Sequence, residues 1–495
     1  MADLPDRPVA AVRRAWLSEP LHAAVSALAI ERGYELFLVG GAVRDVLLGR
    51  EVGDWDLAGH GVIEIAQHFA AKQQLRAVVL HEEFPTIRVI LRPGDPLGFL
   101  DFAELRAATI EQDLRRRDFT INALAWDIRG ADELVDPTGG VDDLRRCLVR
   151  APGRDVIAAD PLRVLRAFRF AAQLNFDVDP ETGGWLGELA PRIEGVAGER
   201  VGQEMVKLFA ASHAADAMQA AEELGVLEAL VPSLAAMRGV EQGGFHHLDV
   251  LGHTLLALHE TERAINEPEL FFPRAAEAIR VWLREAENRA AVRMATLFHD
   301  VGKPECRTEE DDRTRFLGHA DASATTFLDY ARRWSIPTRM RRQVVRMIRL
   351  HMRPLELVSA GLKAEEEGRD PWGVITLSAI RRLMRDAEPA AIGLLLLAVG
   401  DRSACRGPAS RLEQRGRMYE VFDGLLVRYL GWLRERRKRP RLIDGAALME
   451  KLGLQQGPLV GELLDAIQEA REDDEISSEQ DALRLARDLL EEMDE

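Results

Sequence analysis

Residues 37–61 read FLVGGAVRDVLLGREVGDWDLAGHG. An apolar run leads into Gly40 and Gly41, a short helical pattern follows, and two aspartates then flank a tryptophan. Glycines between a strand and a helix let a phosphate approach the backbone, and a helix N-terminus favours negative charge. Arg44, one turn into the helix, is placed to bind a triphosphate. The segment predicts a phosphate-binding strand–turn–helix unit, with a plain turn as the alternative for the two glycines.

Asp54 and Asp56 have the spacing of a metal site. On a strand, residues i and i+2 point to the same face. Mg²⁺ prefers hard oxygen ligands, and two such ions can clamp both the attacking and the leaving oxygen in phosphoryl transfer. Asp101, in FLDFAELR, is the candidate third carboxylate because a neighbouring strand could bring it beside the pair. An exposed turn is the alternative for an isolated Asp-x-Asp.

Composition points to a multi-domain protein of the cytoplasm. A chain of 495 residues exceeds what a single core usually supports, so we expect about three or more folded units. The net charge of −17 argues against a wholly basic nucleic-acid-binding protein, although it says little about local patches. The 3 cysteines lack the close spacing of a disulfide or zinc framework. With no signal peptide and no apolar run long enough to span a bilayer, we expect no membrane partner.

The pattern of predicted strands and helices changes near residue 150. Strand patterns such as YELFLVG and TIRVILR, with LGFLDFAEL as a third, alternate with helical stretches over residues 20–150. That alternation predicts an α/β unit of modest size. From residue 151 onward helical periodicity dominates, and no fixed-period repeat indicates a solenoid. The fold class predicted is therefore an α/β head followed by a mostly α-helical remainder.

The segment DPLRVLRAFRF, residues 160–170, predicts a helix with one polar row. Asp160 before a proline is typical of a helix N-cap, so a capping role is one interpretation. Arg163, Arg166 and Arg169 recur every three residues beside an apolar stripe. This arginine row is expected to face an acidic or solvent-filled site.

A second set of residues has the ligands of a transition-metal site. HHLDVLGH, ATLFHDVGKP and LLAVGDRSACRG contribute histidine and aspartate over residues 246–407. Mixed nitrogen and oxygen ligands suit Mn, Ni, Co or Fe. The proposed ligands are His253, His299, Asp300 and Asp401. His319 and His351 are candidates for a second metal or the substrate phosphate, with an ordinary polar contact as the alternative, and Lys303 is a candidate phosphate contact.

The motifs FLVGGAVRDVLLGR with DWD, LRRRDFTINALAWD and DPLRVLRAFRFAAQLNF, in this order, resemble the class II tRNA nucleotidyltransferase and poly(A) polymerase family. That family belongs to the polymerase-β-like superfamily. The resemblance implies that Asp54, Asp56 and Asp101 hold Mg²⁺. It also implies nucleotide contacts from a further set: Gly40, Gly41, Arg44, Arg117, Asp118, Asn122, Asp160, Arg163, Arg166 and Arg169.

Within that set the resemblance implies distinct roles. Asp118 is expected at the ribose, and Asn122 either braces the site or is a buried structural amide. Asp160 and Arg163 are expected to hydrogen-bond the Watson–Crick edges of CTP and ATP, replacing a template. Ala159 stands where the family usually has glutamate, which is the one visible departure.

The histidine–aspartate segment resembles the HD phosphohydrolase domain, which implies phosphatase or phosphodiesterase activity. LIDGAALMEKLGLQQGPLVGELLDAIQEA, residues 442–470, resembles the family's RNA-binding tail. The expected domains are a head over 25–150, a neck and body over 151–240, an HD domain over 241–405 and a tail over 406–495.

The leading functional hypothesis is template-independent addition or repair of the 3′-terminal CCA of tRNA from CTP and ATP. Poly(A) polymerase, CC-only and A-only enzymes are close alternatives because they share the chemistry. Two alternatives differ in class: an HD phosphohydrolase whose head only binds RNA, and a purely structural RNA-binding protein.

Overall fold

The computed structural model describes the whole chain except residues 1, 3, 6, 82–84, 93–97, 311–312, 411–413, 439–441, 473–474 and 495. Its N-terminal part is built on a sheet of strand order β3-β4-β5-β2-β1-β6. The strands are β1 Leu36–Val39, β2 Asp56–Gly59, β3 Arg76–His81, β4 Thr86–Ile90, β5 Phe99–Glu104 and β6 Ala125–Asp127. The helices around it are α1 Pro8–Leu17, α2 Pro20–Arg32, α3 Gly41–Leu47, α4 Val62–Gln73, α5 Ile110–Leu114 and α6 Gly140–Arg146.

The pairing in this sheet is mixed. β1 is antiparallel to β2 and β6, and β3, β4 and β5 form an antiparallel run. β2 and β5 are parallel, which joins the two halves at the centre. Because β1 ends at the glycine turn and β2 begins at Asp56, the central strands position the candidate site.

From residue 148 onward the chain is almost entirely helical. Short strands pair as β7 Leu148–Val149 with β8 Asp177–Val178, and as β9 Thr308–Glu310 with β10 Arg313–Arg315. The first helices are α7 Arg154–Ala159, α8 Leu162–Leu174, α9 Pro180–Leu189, α10 Gly198–Ala210, α11 Ala214–Glu223, α12 Val226–Leu230, α13 Pro232–Ala235, α14 Val250–Asn266, α15 Pro268–Phe271, α16 Ala276–Leu283 and α17 Ala286–Phe298. They are followed by α18 His319–Arg333, α19 Thr338–Leu350, α20 Met352–Glu366, α21 Pro371–Val374, α22 Leu377–Ala387, α23 Ala391–Ala404, α24 Arg415–Lys438, α25 Gly445–Leu452, α26 Pro458–Glu472 and α27 Glu479–Asp494.

The apolar core is continuous from the head through α24. A separate cluster, which includes Leu448, Leu463 and Ala482, belongs to α25, α26 and α27. The last three helices therefore bury their apolar faces mainly against one another.

The predicted α/β head and helical remainder are confirmed, and the structure defines the bounds of three local features. β2 begins at Asp56, so Asp54 lies just before the strand rather than on it. α17 ends at Phe298, which puts His299 and Asp300 in the turn that follows the helix. α8 begins at Leu162, although Asp160 still accepts a hydrogen bond from the Leu162 N–H at 3.2 Å, as a cap would.

Candidate functional site

The structure brings Asp56 and Asp101 side by side. They are direct partners in the parallel register of β2 and β5. Asp54 is exposed just ahead of β2, whereas Trp55 between the two aspartates is buried against Trp16, with ring centroids 5.5 Å apart. This buried indole anchors the loop that carries Asp54. All three carboxylates therefore lie at one end of the central strands.

The charge at this position suits a cation. The pKa of Asp56 is raised from 3.8 to about 6, first by burial and then by the negative charge of Asp101. A group that resists ionisation because of a neighbouring carboxylate is stabilised in its charged form by a bound positive ion. The donor set is entirely oxygen, as Mg²⁺ requires.

Arg88 on β4 engages Asp101, and sequence reasoning missed it. Its Nε and Nη2 donate to the two carboxylate oxygens at 2.8 and 2.7 Å, and its guanidinium lies 3.6 Å from the centre of the Phe99 ring. The three carboxylates accordingly do not form a group of ligand atoms within 4.8 Å of one another, as the groups in the helical part do. The register of β4 and β5, which pairs Arg88 with Asp101, is the signal that identifies this contact.

The glycine turn is shaped by a close approach. Gly40 has φ of +70°, and a Cβ there would lie 2.9 Å from Nη1 of Arg117. Arg44 donates to both oxygens of Asp45 at 2.9 Å and to Oδ1 of Asn122. Arg44, Arg117 and Asn122 thus lie around the turn, which gathers positive charge next to Gly40 and Gly41.

A buried ion network joins the head to α8. Asp118 accepts from Nε of Arg166 at 2.9 Å and from Nδ2 of Asn122 at 3.1 Å. Burial by itself raises the pKa of Asp118, but the ion pair with Arg166 outweighs it and holds that pKa below its ordinary value. Arg169 donates to Glu204 of α10, a buried acid absent from the sequence-based set.

Asp160 and Arg163 make separate contacts. Oδ2 of Asp160 accepts from Nη2 of Arg200 at 2.8 Å, so Arg200 is a further residue that sequence reasoning missed. Arg163 donates from Nη1 to the backbone oxygens of Val156 at 2.9 Å and Arg116 at 3.2 Å. In the sequence, the i,i+4 spacing of Arg200 and Glu204 could have identified both residues, because it places them on one face of a helix.

In the helical part, histidines and aspartates converge in two adjoining groups. One is His253, His299 and Asp401, and the other is Asp300, His319 and His351, each with ligand atoms within 4.8 Å. Asp300 lies between them: its Oδ2 is 3.1 Å from His299 Nε2, and its Oδ1 is 3.5 Å from His319 Nε2. Asp300 therefore lies beside histidines of both groups.

Three of these histidines are oriented in the same way. Nδ1 of His299, His319 and His351 lies 2.7, 2.7 and 2.6 Å from the backbone oxygen three residues earlier. An N–H at Nδ1 that donates to a carbonyl leaves Nε2 as the electron-pair donor, which is the usual arrangement of a metal-binding histidine. Nε2 of His299 and Oδ1 of Asp300 are buried without a hydrogen-bond partner. The donor set and these orphaned atoms fit a metal centre.

The electrostatics of the two groups differ. Burial lowers the pKa of His299, but the charges of Asp300 and Asp401 outweigh it, so the net shift is upward. Burial and the charge of His299 lower the pKa of His351 to about 4. Lys303 donates to Oδ2 of Asp300 at 2.6 Å. His351 is therefore held in its neutral form near neutral pH, whereas the two carboxylates favour the protonated form of His299.

His246 and Cys405 extend the first group outward and were not predicted. Nδ1 of His246 lies 3.2 Å from Nδ1 of His253, and the Cys405 thiol lies 3.8 Å from the same His246 nitrogen. Burial raises the pKa of the Cys405 thiol to about 12. The position of Cys405, one helical turn after Asp401, is the signal that identifies it.

Known protein families match both the α/β head and the helical part of the chain. Residues 36–150 match the poly A polymerase head domain, 175–238 the probable RNA- and SrmB-binding site of polymerase A, and 256–402 the HD domain. Both the nucleotidyltransferase and the HD domain type depend on divalent metal ions. Within the described residues, no helix combines the length and apolarity needed to cross a bilayer.

Two tRNA nucleotidyltransferases are similar to this chain over nearly their whole length. The A-adding enzyme of Deinococcus radiodurans is 34% identical over 92% of this chain and 95% of its own. The CC-adding enzyme of Thermus thermophilus is 32% identical over 90% and 92%. The fold is also that of a Thermotoga maritima CCA-adding enzyme complexed with tRNA, at a TM-score of 0.58 and 22% identity over 97% of this chain and 98% of that one. The chain belongs to the tRNA nucleotidyltransferase and poly(A) polymerase family, with an HD domain in its C-terminal half.

Proposed function

We propose that the protein adds nucleotides of the CCA sequence to the 3′ end of tRNA, with CTP and ATP as substrates. The observation that carries this proposal is the pairing of Asp56 with Asp101 beside the Gly40–Gly41 turn. Carboxylates next to a phosphate-binding turn are what nucleotidyl transfer requires. The similarity to A-adding and CC-adding enzymes over more than nine-tenths of their lengths supports tRNA as the acceptor.

In this mechanism Asp54, Asp56 and Asp101 hold Mg²⁺. When bound, the metal lowers the pKa of the attacking 3′-hydroxyl and offsets charge on the leaving pyrophosphate. Arg44 and the backbone N–H groups of the glycine turn orient the triphosphate. Arg88 occupies one acceptor position on each oxygen of Asp101, and the second position on each oxygen stays open to a metal ion.

Base selection belongs to the neck. We assign hydrogen bonding of the base to Asp160 and Arg163, and the arrangement of the sugar and its surroundings to Asp118, Arg166 and Arg169. Arg117 and Asn122 complete the pocket. A carboxylate accepts from the exocyclic amine that cytosine and adenine share at this edge, so the same groups serve both nucleotides.

Partial addition is the second candidate for the same site. Two of the relatives that match over at least nine-tenths of this chain are named for partial additions, one for A addition and the other for CC addition. Purified protein should therefore be given tRNA ending before CCA, at C, or at CC, with CTP alone, ATP alone, or both. A full CCA product supports complete addition, and a product restricted to CC or to A assigns the partial activity. Incorporation of neither nucleotide on any acceptor refutes the proposal.

The HD site is proposed as a second, phosphohydrolase activity. His253, His299, Asp300 and Asp401 would hold one transition metal such as Mn, Ni, Co or Fe, and His319 and His351 a second one with Asp300 between them. A metal there supplies Lewis acidity for hydrolysis of a phosphate ester. Lys303 is the proposed phosphate contact. The Nε2 atoms of His299, His319 and His351 lie 3.1, 3.5 and 3.9 Å from Asp300 oxygens, which supports this proposal.

The two activities should separate by mutation. We expect Asp54→Ala to abolish nucleotide addition and spare hydrolysis of a 2′,3′-cyclic phosphate or p-nitrophenyl phosphate ester. His299→Ala should have the reverse effect. If His299→Ala abolished CCA addition while the protein remained folded, the HD site would be part of the transferase. We propose the same limits for the head, neck, HD domain and tail as the sequence predicts. We also propose a cytoplasmic location.

A further inference from the structure

Helix α10 carries two charged residues toward the base-selecting helix α8. Arg200 contacts Asp160, and Glu204, one turn later, contacts Arg169 and Arg166. The Glu204 side chain is 6% exposed, whereas that of Arg200 is 52% exposed. One face of α10 thus carries the buried Glu204 carboxylate and the half-exposed Arg200 guanidinium beside the proposed base site.

The Asp160 carboxylate is held at both oxygens. Oδ1 accepts from the Leu162 N–H at 3.2 Å, and Oδ2 accepts from Arg200 at 2.8 Å. Each carboxylate oxygen has two lone pairs, so one acceptor position remains open on each. The contacts leave Asp160 able to accept from a base while removing its freedom to rotate.

The placement of α10 is itself tightly determined. A Cβ on Gly198 would lie 1.8 Å from the backbone oxygen of Arg333, and one on Gly202 would lie 1.9 Å from that of Trp334. These glycines let α10 contact the end of α18 at backbone distance, a position that a larger residue would prevent. Arg200 therefore projects from a helix whose position the packing constrains.

We infer that Arg200 is a positioning residue for nucleotide selection, acting through Asp160. Cytosine and adenine present an amine donor where uracil and guanine present a carbonyl acceptor. A fixed carboxylate accepts from the first pair and repels the second. If Asp160 were free to rotate, its carboxylate would face the base for less of the time. Uracil and guanine would then be repelled less strongly. The inference rests on the proposed function, since it requires Asp160 to face the base.

The test compares Arg200→Met and Arg200→Lys with Lys207→Met. Lys207 is an exposed residue on the same helix, so its substitution makes the same change in charge away from Asp160. For each variant, KM and kcat are measured with CTP, ATP, UTP and GTP on tRNA lacking CCA. Equilibrium binding of CTP and UTP to the full chain is measured separately.

We expect Arg200→Met to raise KM for the accepted nucleotide and to lower its preference over UTP or GTP by about tenfold, the loss of one half-exposed charged hydrogen bond. kcat should change less than about twofold, Arg200→Lys should restore part of the selectivity, and Lys207→Met should match the wild type. Unchanged selectivity in Arg200→Met, or a fall in kcat and melting temperature at unchanged selectivity, overturns the inference.

Failure of the proposed function has a different signature. In that case the wild type incorporates neither CTP nor ATP on any tRNA acceptor. The binding measurement then decides the inference by itself: a smaller CTP-to-UTP affinity ratio in Arg200→Met supports it, and an unchanged ratio overturns it.

Discussion

At Asp56, burial and a second carboxylate act in the same direction. Both disfavour the ionised side chain and raise its pKa to about 6, while Arg117 and Arg88 only partly oppose them. The folded protein between pH 3.8 and about 6 therefore keeps a proton that the unfolded chain has released. Stability consequently falls as pH rises through this window, and the full penalty is present above it.

Replacing Asp56 by asparagine should stabilise the metal-free protein at pH 8. A pKa raised from 3.8 to about 6 corresponds to a penalty of up to about 3 kcal/mol in the free energy of unfolding. The gain should shrink as pH falls below 6 and vanish near pH 4. Denaturant unfolding with EDTA across this range measures it.

Mg²⁺ and a surface variant provide the controls for Asp56. Mg²⁺ should raise the melting temperature of the wild type more than that of Asp56→Asn, because binding to the folded state alone stabilises it. Asp142→Asn, at an exposed position of the head, should change stability by no more than about 0.5 kcal/mol. Equal stability of Asp56→Asn and wild type at pH 8 would contradict the raised pKa.

At the scale of elements, α10 connects the two candidate sites through packing. One face contacts α8, which carries Arg163 of the proposed base site, and another contacts α17, which ends beside the proposed HD ligands. Its glycines approach the end of α18 at backbone distance. The helix therefore packs between α8 on one side and α17 and α18 of the HD domain on the other.

Gly202→Ala tests the close packing of α10 against the end of α18. The added methyl would lie 1.9 Å from the Trp334 backbone oxygen, so one helix must move. We expect a loss of about 1–3 kcal/mol of stability, typical of overpacking. Gly184→Ala is the matched control, because it is helical and nothing lies within 4 Å of its Cβ position. That control should be neutral or stabilising, and a neutral Gly202→Ala would disprove the close contact.

At the scale of the whole molecule, the described residues form a large core, a small apolar cluster in the head that includes Phe37 and Leu114, and a separate small core in the tail. The large core runs from the head through α24, and the small one lies within α25, α26 and α27. Helices that bury their faces mainly against one another can be removed without opening the remaining core. The tail is therefore structurally separable from both candidate sites.

A chain ending at residue 438 should keep its fold and nucleotide binding but lose tRNA affinity. We expect an unchanged melting temperature of the main core and a Kd for tRNA at least about tenfold higher. The salt dependence of binding should also weaken, because fewer phosphates are contacted. Filter binding at several salt concentrations measures both. Full tRNA affinity in the shortened chain would show that the tail does not bind RNA.

The amino-acid sequence by itself determined the local features. The Gly40–Gly41 turn, the Asp54–Asp56 spacing, the arginine row of α8 and the His299–Asp300 pair all depend on residues within a turn or two of one another. Periodicity and backbone preference act over that distance, so these features and the α/β-then-helical order could be predicted.

Only the tertiary structure decided which of these features meet. Asp101 reaches Asp56 through the register of two parallel strands, Arg88 reaches Asp101 through the next strand pair, and Arg200 reaches Asp160 through helix packing. His319 and His351 join Asp300 for the same reason. Such contacts depend on how distant elements are placed, so a local pattern could propose Asp101, His319 and His351 as candidates but did not identify Arg88 or Arg200 as their neighbours' partners.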